Sequence, residues 1–371
     1  MGIYGGAVSE RTVLAASRVV TPTGVLSPGL VEIDDGRITS VVPTTGAVPD
    51  RVLVPGWVDL QVNGIDDVDV ARADAAGWER LDAALAAQGT TSWLPTLITA
   101  PRDAYPSRLA AIAAAATRGG PRPAIVGAHL EGPWLGGRTG AHRPDLVAAP
   151  DPPWIDDLPP VVRLATLGAD VPGAPAAIAA LRRRGIVVAI GHSDADHVTA
   201  TAAVDAGATL ITHAYNAMSG LHHRRPGMVG VALTDDRATI SLIADGVHVH
   251  PVALDVAFRC KPDGRLVLVT DSVAWRSAPG VSLGADGAPV LADGTLAGSA
   301  LTMDAAVALV VTQVGVSLER AVAAASTTPA RLLGLSDRGA LAVGRRADVA
   351  ALDPVSLRCT ATWVAGVQIH G

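Results

Sequence analysis

The sequence predicts an α/β protein: a (β/α)8 barrel of the TIM type, with a small β-sandwich domain formed by both chain ends. Three observations predict it. Eight short apolar runs recur through the middle of the chain and alternate with Ala-rich stretches of helical period. Residues 1–55 and 341–371 carry only short β-type pieces cut by turn residues. The length, 371 residues, suits a barrel of roughly 250 residues plus an appendage.

In chain order, Val13–Val20, Gly29–Ile33 and Arg37–Val42 read as strands, the last two separated by the turn pair Asp35-Gly36. The eight apolar runs are Trp57–Val62, Thr91–Pro95, Ile125–Leu130, Val161–Leu167, Val187–Ile190, Thr209–Thr212, Ile240–Ala244 and Leu266–Thr270. Helical stretches between them are Gly77–Ala87, Tyr105–Thr117, Ala174–Arg184, Ala195–Ala206 and Pro251–Cys260, followed by Asp304–Val314 and Leu318–Ala325. Strands alternating with helices imply a parallel sheet, and eight of them close a barrel. Between the third and fourth runs, Pro144 to Pro160 is Pro-rich and reads as a loop. The chain ends on Asp348–Leu352 and Thr360–Ile369, split by Asp353-Pro354. Neither end holds enough strands for a stable sheet of its own, so the two are expected to pair into one domain. The expected division is 1–55 and 341–371 for the small domain and 56–340 for a metal-dependent barrel.

With 49% hydrophobic and 17% charged residues the chain can bury a large core. Aromatics are only 3%, so that core rests on Ala, Val, Leu and Ile. A net charge of −6 argues against a nucleic-acid partner. Cys260 and Cys359 fit free thiols in a reducing compartment, and Met1 to Glu10 has no secretory pattern, so a cytoplasmic location is expected. There is no apolar run of about 18 residues, and no membrane partner is expected.

The polar residues at or just beyond the ends of the runs carry the chemistry. They are Gln61 and Asn63 after the first, His129 and Glu131 after the third, His192 and Asp194 after the fifth, His213 and Asn216 after the sixth, Asp245 and His248 after the seventh, and Asp271 after the eighth. In such a barrel these points share one face, where active sites are built. A lone His at a strand end is usually a hydrogen-bonded structural residue; six strands sending ligand-type side chains to one face is a different matter. Glu131, His192 and His213 suit one borderline divalent ion such as Zn2+, with Fe2+ or another ion as alternatives. Asp271 can take a proton from the attacking water and return it to a leaving amine.

The motifs are long. They include Pro55-Gly56-Trp57-Val58-Asp59-Leu60-Gln61-Val62-Asn63-Gly64, His129-Leu130-Glu131-Gly132-Pro133-Trp134, Gly191-His192-Ser193-Asp194, Thr212-His213-Ala214-Tyr215-Asn216-Ala217-Met218, His222-His223-Arg224-Arg225-Pro226-Gly227, Ala244-Asp245-Gly246-Val247-His248 and Val269-Thr270-Asp271. In this order they resemble the N-acetylglucosamine-6-phosphate deacetylase family of the amidohydrolase superfamily. The resemblance implies hydrolysis of a phosphorylated N-acetyl amino sugar to the free amine and acetate. It implies Glu131, His192 and His213 as metal ligands, Asp271 as base and then acid, and His142 as the group that polarises the acetyl carbonyl. Asn216, Ala217 (through its backbone), Arg224 and His248 would hold the sugar phosphate, Arg224 reaching the neighbouring site of a homodimer. Many amidohydrolases carry His-x-His after the first strand for a second metal. Here the position reads Gln61-x-Asn63, so one ion per subunit is expected.

Two segments depart from the family's pattern of small residues: Ile65-Asp66-Asp67 after Asn63-Gly64, and Ser272-Val273-Ala274-Trp275-Arg276-Ser277 after Asp271. They bear on which acylated sugar fits, and on the phosphate. Among the remaining polar residues, His197 and His370 read as surface, Glu79 and Arg80 as a solvated helix face, and Gly136-Gly137 as a flexible loop.

Overall fold

In the computed structural model, which describes residues 11–371, the eight runs are eight parallel strands. They are Trp57–Val62, Thr90–Ile98, Ala128–Glu131, Val162–Leu167, Val187–Ile190, Leu210–Ile211, Thr239–Leu242 and Leu266–Leu268. Each pairs in parallel with the next. The seam closes between the first and last: Val62 bridges Ser272 in parallel, and the Asp271 N–H donates to the Gln61 carbonyl at 2.9 Å. The barrel was visible in the sequence because strands covered on both faces read as unbroken apolar runs. Trp57–Val62, for example, is buried at every position.

The chain ends do pair. Val52–Pro55 lies antiparallel to Val349–Leu352, in a six-stranded sheet with Arg18–Thr21, Gly24–Leu26, Cys359–Val364 and Val367–His370. A second sheet of Thr12–Ala16, Gly29–Asp34 and Arg37–Pro43 packs with it over a separate core of Leu14, Val31, Ile33, Leu53, Val349 and Trp363. Asp35 and Gly36 both take positive φ, 47° and 69°, as the tight turn of a two-residue hairpin requires. The stretch expected as one strand over Val13–Val20 is cut at Ser17, where the chain passes from one sheet to the other. Thr360–Ile369 is likewise cut, by a hairpin at Ala365-Gly366. The reading of Met1 to Glu10 concerns residues outside the described ones.

Three helices were missed, one of them the short Thr327–Leu332, which follows Leu318–Ala325 after a break at Ser326. Gly227–Thr234 fills the gap between the sixth and seventh barrel strands, with every residue buried except Thr234 and its first residue at φ 59°. It is apolar all round and contains two glycines, so neither period nor propensity marks it. Pro152–Asp157, inside the stretch read as a loop, is a short helix that opens on prolines, which suit a first helical turn. Among the described residues no helix is long and apolar enough to cross a membrane.

Candidate active site

The strand ends bring their polar residues to one mouth of the barrel. Glu131 is the last residue of the third strand; His192, His213 and Asp271 lie just beyond the fifth, sixth and eighth. The last three take left-handed backbone, with φ of 46°, 28° and 51°. Residues other than glycine seldom adopt it, and such conformations cluster at functional sites. Here the bend directs each side chain inward. The Glu131 Oε1 lies 3.1 Å from His192 Nε2 and 3.0 Å from His213 Nε2, and the two ring nitrogens are 3.0 Å apart. All three residues are buried.

Hydrogen-bond partners separate the roles of the histidines. His192 Nδ1 faces the Arg138 carbonyl at 3.2 Å, which can only accept, so the neutral ring carries its proton there and turns a lone pair towards Glu131 and His213. Among the described residues no Lys or Arg side chain bonds to these three groups. Two imidazoles and a carboxylate converging in this way form the donor set of a divalent-metal site, and an outward Nδ1–H on a backbone carbonyl is the usual support of a ligating His. His142 has the opposite tautomer. Its Nδ1 accepts from the Thr99 backbone N–H at 3.3 Å and contacts the Thr99 hydroxyl at 2.9 Å, so Nε2 bears the proton. That Nε2 points at Glu131 Oε2 from 3.7 Å. Glu131, His142 and His192 also bring ligand atoms within 4.8 Å of one another, but with its lone pair turned to Thr99, His142 presents an N–H to the cluster, whereas His213 Nε2 lies 3.0 Å from both Glu131 Oε1 and His192 Nε2.

Asp271 sits across this cluster. Its Oδ1 accepts from Gln61 Nε2 at 2.9 Å and Asn63 Nδ2 at 2.7 Å. Burial first, and then the negative charge of Glu131, push the Asp271 carboxyl up to about 8. Burial would also raise Glu131, but whenever the His142, His192 and His213 rings turn N–H groups to it, their hydrogen bonds outweigh burial and hold that carboxyl well below its usual range. The sequence marked Gln61 and Asn63 only as poor substitutes for metal-binding histidines; the structure gives both a positive part. Gln61 Nε2 donates to Glu131 Oε1 at 3.0 Å as well as to Asp271, while its Oε1 accepts from Thr212 Oγ1 at 3.1 Å. Beneath lies a residue whose placement the sequence did not reveal, Asp59. It accepts from Thr270 Oγ1 at 2.6 Å and from the Gln61 N–H at 3.1 Å, and burial raises it to about 6. Its spacing, two before Gln61 on one strand and four before Asn63 just past its end, is the signal that could have found it.

A cavity of about 1030 Å3 opens on the cluster, lined by Glu131, His142, His192, His213, Asn216, Ala217, His248 and Asp271. His248 Nδ1 is 2.6 Å from Asp245 Oδ2, which leaves Nε2 as the available nitrogen. Burial would raise Asp245, but the bonds from His248 and the Val247 N–H hold it low. Asn216 Nδ2 is buried and has no protein partner, an unused donor at the cavity wall. His129, in contrast, is held between Thr96 at 3.2 Å and Thr166 at 2.8 Å, and burial lowers it to about 4; it stays in the wall. Arg224 is not brought into this cavity. It is exposed on the tight turn where His222 bridges Arg225, and its backbone N–H donates to His222 Nδ1 at 3.2 Å. Asp235, a carboxylate further along the chain, pairs with Arg237 at 2.6 Å and not with Arg224.

One expectation is extended and one corrected. Glu79 and Arg80 are exposed, as a solvated face requires, and Arg80 also reaches the cavity rim and pairs with Asp67. Gly136-Gly137 is a tight packing point. The Gly136 N–H donates to the His192 carbonyl at 2.8 Å, a side chain on Gly136 would collide with the Asp170 carboxylate, and Asp170 Oδ2 accepts from the Gly137 N–H at 3.0 Å.

This fold is shared. Residues 52–370 match the amidohydrolase family. The chain belongs to that family. It is 39% identical to N-acetylgalactosamine-6-phosphate deacetylase of Escherichia coli O157:H7, covering 95% of this chain and 98% of that one. It is 37% identical to the human N-acetylglucosamine-6-phosphate deacetylase, covering 92% and 88%. Among solved structures, a mutant N-acetylglucosamine-6-phosphate deacetylase from Mycobacterium smegmatis, in complex with N-acetyl-D-glucosamine 6-phosphate, superposes with a TM-score of 0.90 at 35% identity, covering 98% and 100%. Within the amidohydrolases the chain therefore groups with the amino-sugar-phosphate deacetylases.

Proposed function

We propose that this amidohydrolase removes the acetyl group from an N-acetylhexosamine 6-phosphate, taking N-acetylglucosamine 6-phosphate to glucosamine 6-phosphate and acetate. The observation that carries the reading is the facing arrangement of Asp271 and the Glu131–His192–His213 cluster, tied together by one amide, Gln61. A divalent ion held by Glu131, His192 and His213, Zn2+ or Fe2+ by the N,N,O donor set, would polarise the acetyl carbonyl and acidify water. The rest falls to the chain itself. His142 Nε2–H donates to the acetyl oxygen. Asp271, with Oδ1 fixed by Gln61 and Asn63, uses Oδ2 to take a proton from the water that attacks the carbonyl carbon. When the C–N bond breaks, the same oxygen delivers that proton to the leaving nitrogen, so acetate and the amine result with no net change at Asp271.

Asn216, the Ala217 backbone and His248 Nε2 line the cavity where the sugar phosphate would lie. Arg224 completes the phosphate site from the other subunit of a homodimer. Its exposed position, without an ion pair among the described residues, agrees with that role. A cytoplasmic location goes with this substrate and with two free thiols. One observation favours a second sugar: the Escherichia coli relative, which covers 95% of this chain, is named for the galactosamine epimer. The test is acetate release by the metal-loaded protein from N-acetylglucosamine 6-phosphate, N-acetylgalactosamine 6-phosphate and both unphosphorylated sugars. Turnover of neither phosphorylated sugar overturns the proposal.

A further inference from the structure

The two segments that depart from the family's pattern meet in space. Gly64–Ile65 and Val68–Asp69 form a small hairpin after the first barrel strand, with Asp66 and Asp67 at its tip. Residues 272–279 follow the eighth strand, across the barrel seam. The Arg276 N–H donates to the Asp66 carbonyl at 2.8 Å, and Arg276 Nε lies 2.6 Å from Asp66 Oδ1. The Arg276 guanidinium stacks over its own neighbour Trp275, 4.9 Å from the ring centroid, which limits where it can swing. Asp66 itself has φ 56°, a backbone that Asp tolerates better than most residues. Asp67, next in sequence, pairs on the other side with Arg80 of the helix Ala75–Ala87. The hairpin tip is thus held between two arginines from two directions.

What this clasp holds is a wall of the cavity. Asp67, Arg80, Ala274, Ser277, Ala278 and Pro279 all line it, whereas Asp66, Trp275 and Arg276 stand behind. The lining joins an acid–base pair and a hydroxyl to small apolar groups. A pyranose offers the complementary surface, hydroxyls at its edge and C–H groups on its face. The wall rises from the same two strand ends that carry Asn63 and Asp271, so it stands beside the carboxylate of Asp271 at the cavity floor.

We propose that the Asp66–Arg276 clasp, with the Asp67–Arg80 pair it positions, is the sugar-selecting wall of this site and sets the preference between the gluco and galacto epimers of the N-acetylhexosamine 6-phosphate. The proposal rests on the deacetylase reading given above. Arg276 and Asp66 act as positioning residues, through the loop, and Asp67 as the group that meets the ring.

The experiment measures kcat and KM for both epimers with the metal-loaded full chain and its Arg276→Gln, Arg276→Lys, Asp66→Asn and Asp67→Asn variants. Asn keeps the tolerance for left-handed backbone at position 66, and an exposed ion pair contributes little to stability, so melting temperature and metal content are expected to hold. For Arg276→Gln and Asp66→Asn the expected result is a KM for the preferred epimer raised by about tenfold, kcat nearly unchanged, and a smaller ratio of kcat/KM between the epimers. Arg276→Lys should recover part of that ratio, and Asp67→Asn should narrow it by itself. An unchanged ratio overturns the proposal, whether both KM values stay, both rise equally, or kcat falls equally for both. That result leaves the deacetylase reading standing, since one epimer is still hydrolysed. If the unaltered holoenzyme hydrolyses neither, the function itself has failed.

Discussion

Asp271→Asn separates the chemistry of the site from its architecture. In the native chain Asp271 Oδ1 accepts two amide donors, Gln61 Nε2 at 2.9 Å and Asn63 Nδ2 at 2.7 Å. An asparagine can place its carbonyl oxygen in the same spot and keep both bonds. It loses only the basic Oδ2, and it removes a buried carboxylate whose ionisation burial and Glu131 oppose. Stability and metal content should therefore hold, while turnover falls by about 10⁴-fold, the upper end for a general acid–base group, because one residue serves both proton transfers. Asp271→Ala is the control. It leaves the Asn63 amide without its acceptor, at a cost of about 1–3 kcal/mol, and Gln61 with only Glu131 and Thr212 to hold it. That variant should lose stability as well as rate. The pH profile gives an independent check of sign. A base must be ionised, so activity is lost as pH falls through the Asp271 pKa. Without a metal that carboxyl is pushed up to about 8, and a neighbouring dication draws it lower. The acid limb of kcat/KM in the loaded enzyme should then lie below pH 8 and be absent from the residual activity of the Asn variant. The assays are acetate release across pH, elemental analysis and thermal melts. An Asn variant that turns over within tenfold of the native rate, fully metallated, refutes the assignment.

The metal count follows from the same cluster: elemental analysis is expected to find one tightly bound ion per chain, lost together with activity on chelation, and two tightly held ions would contradict amides at Gln61 and Asn63. Arg224→Ala should lower kcat/KM for the 6-phosphate substrate by roughly 10–150-fold, the equivalent of one hydrogen bond to a charged group, while sparing unphosphorylated sugar. Mixing Arg224→Ala chains with Asp271→Asn chains should restore activity, because one site of the mixed dimer has both groups; no recovery despite proven subunit exchange places Arg224 elsewhere. His129 is held neutral by burial, down to about 4 from the 6.5 of a free ring. As pH falls between those values the unfolded chain takes up a proton that the native one refuses, so the native state loses stability. His129→Gln, which keeps polar contacts for Thr96 and Thr166, should lack that loss and gain up to about 3 kcal/mol on the unaltered chain between pH 6.5 and 4. Urea titrations check this, and a pH-independent difference between the two proteins counts against it.

Much of this protein is written in its local pattern. Strands covered on both faces must be apolar throughout, so the eight barrel runs stood out, and with them the points where Glu131, His192, His213 and Asp271 had to emerge. Asp35-Gly36 announced its turn because few residue pairs tolerate two successive positive φ angles. Gly227–Thr234 stayed hidden because a fully buried helix has no polar face to give it a period. The sequence could name the candidate ligands but could not orient them. Left-handed backbone at three of the four chief site residues, and opposite tautomers at His142 and His192, depend on neighbours such as Thr99 and the Arg138 carbonyl. Gln61 and Asp271 are 210 residues apart, and one amide joins Asp271 to the Glu131–His192–His213 cluster only once the barrel has closed. Asp66 and Arg276 find each other for the same reason. Periodicity is set by neighbours along the chain, whereas a hydrogen bond across the seam is set by closure, and closure is a property of all eight strands together.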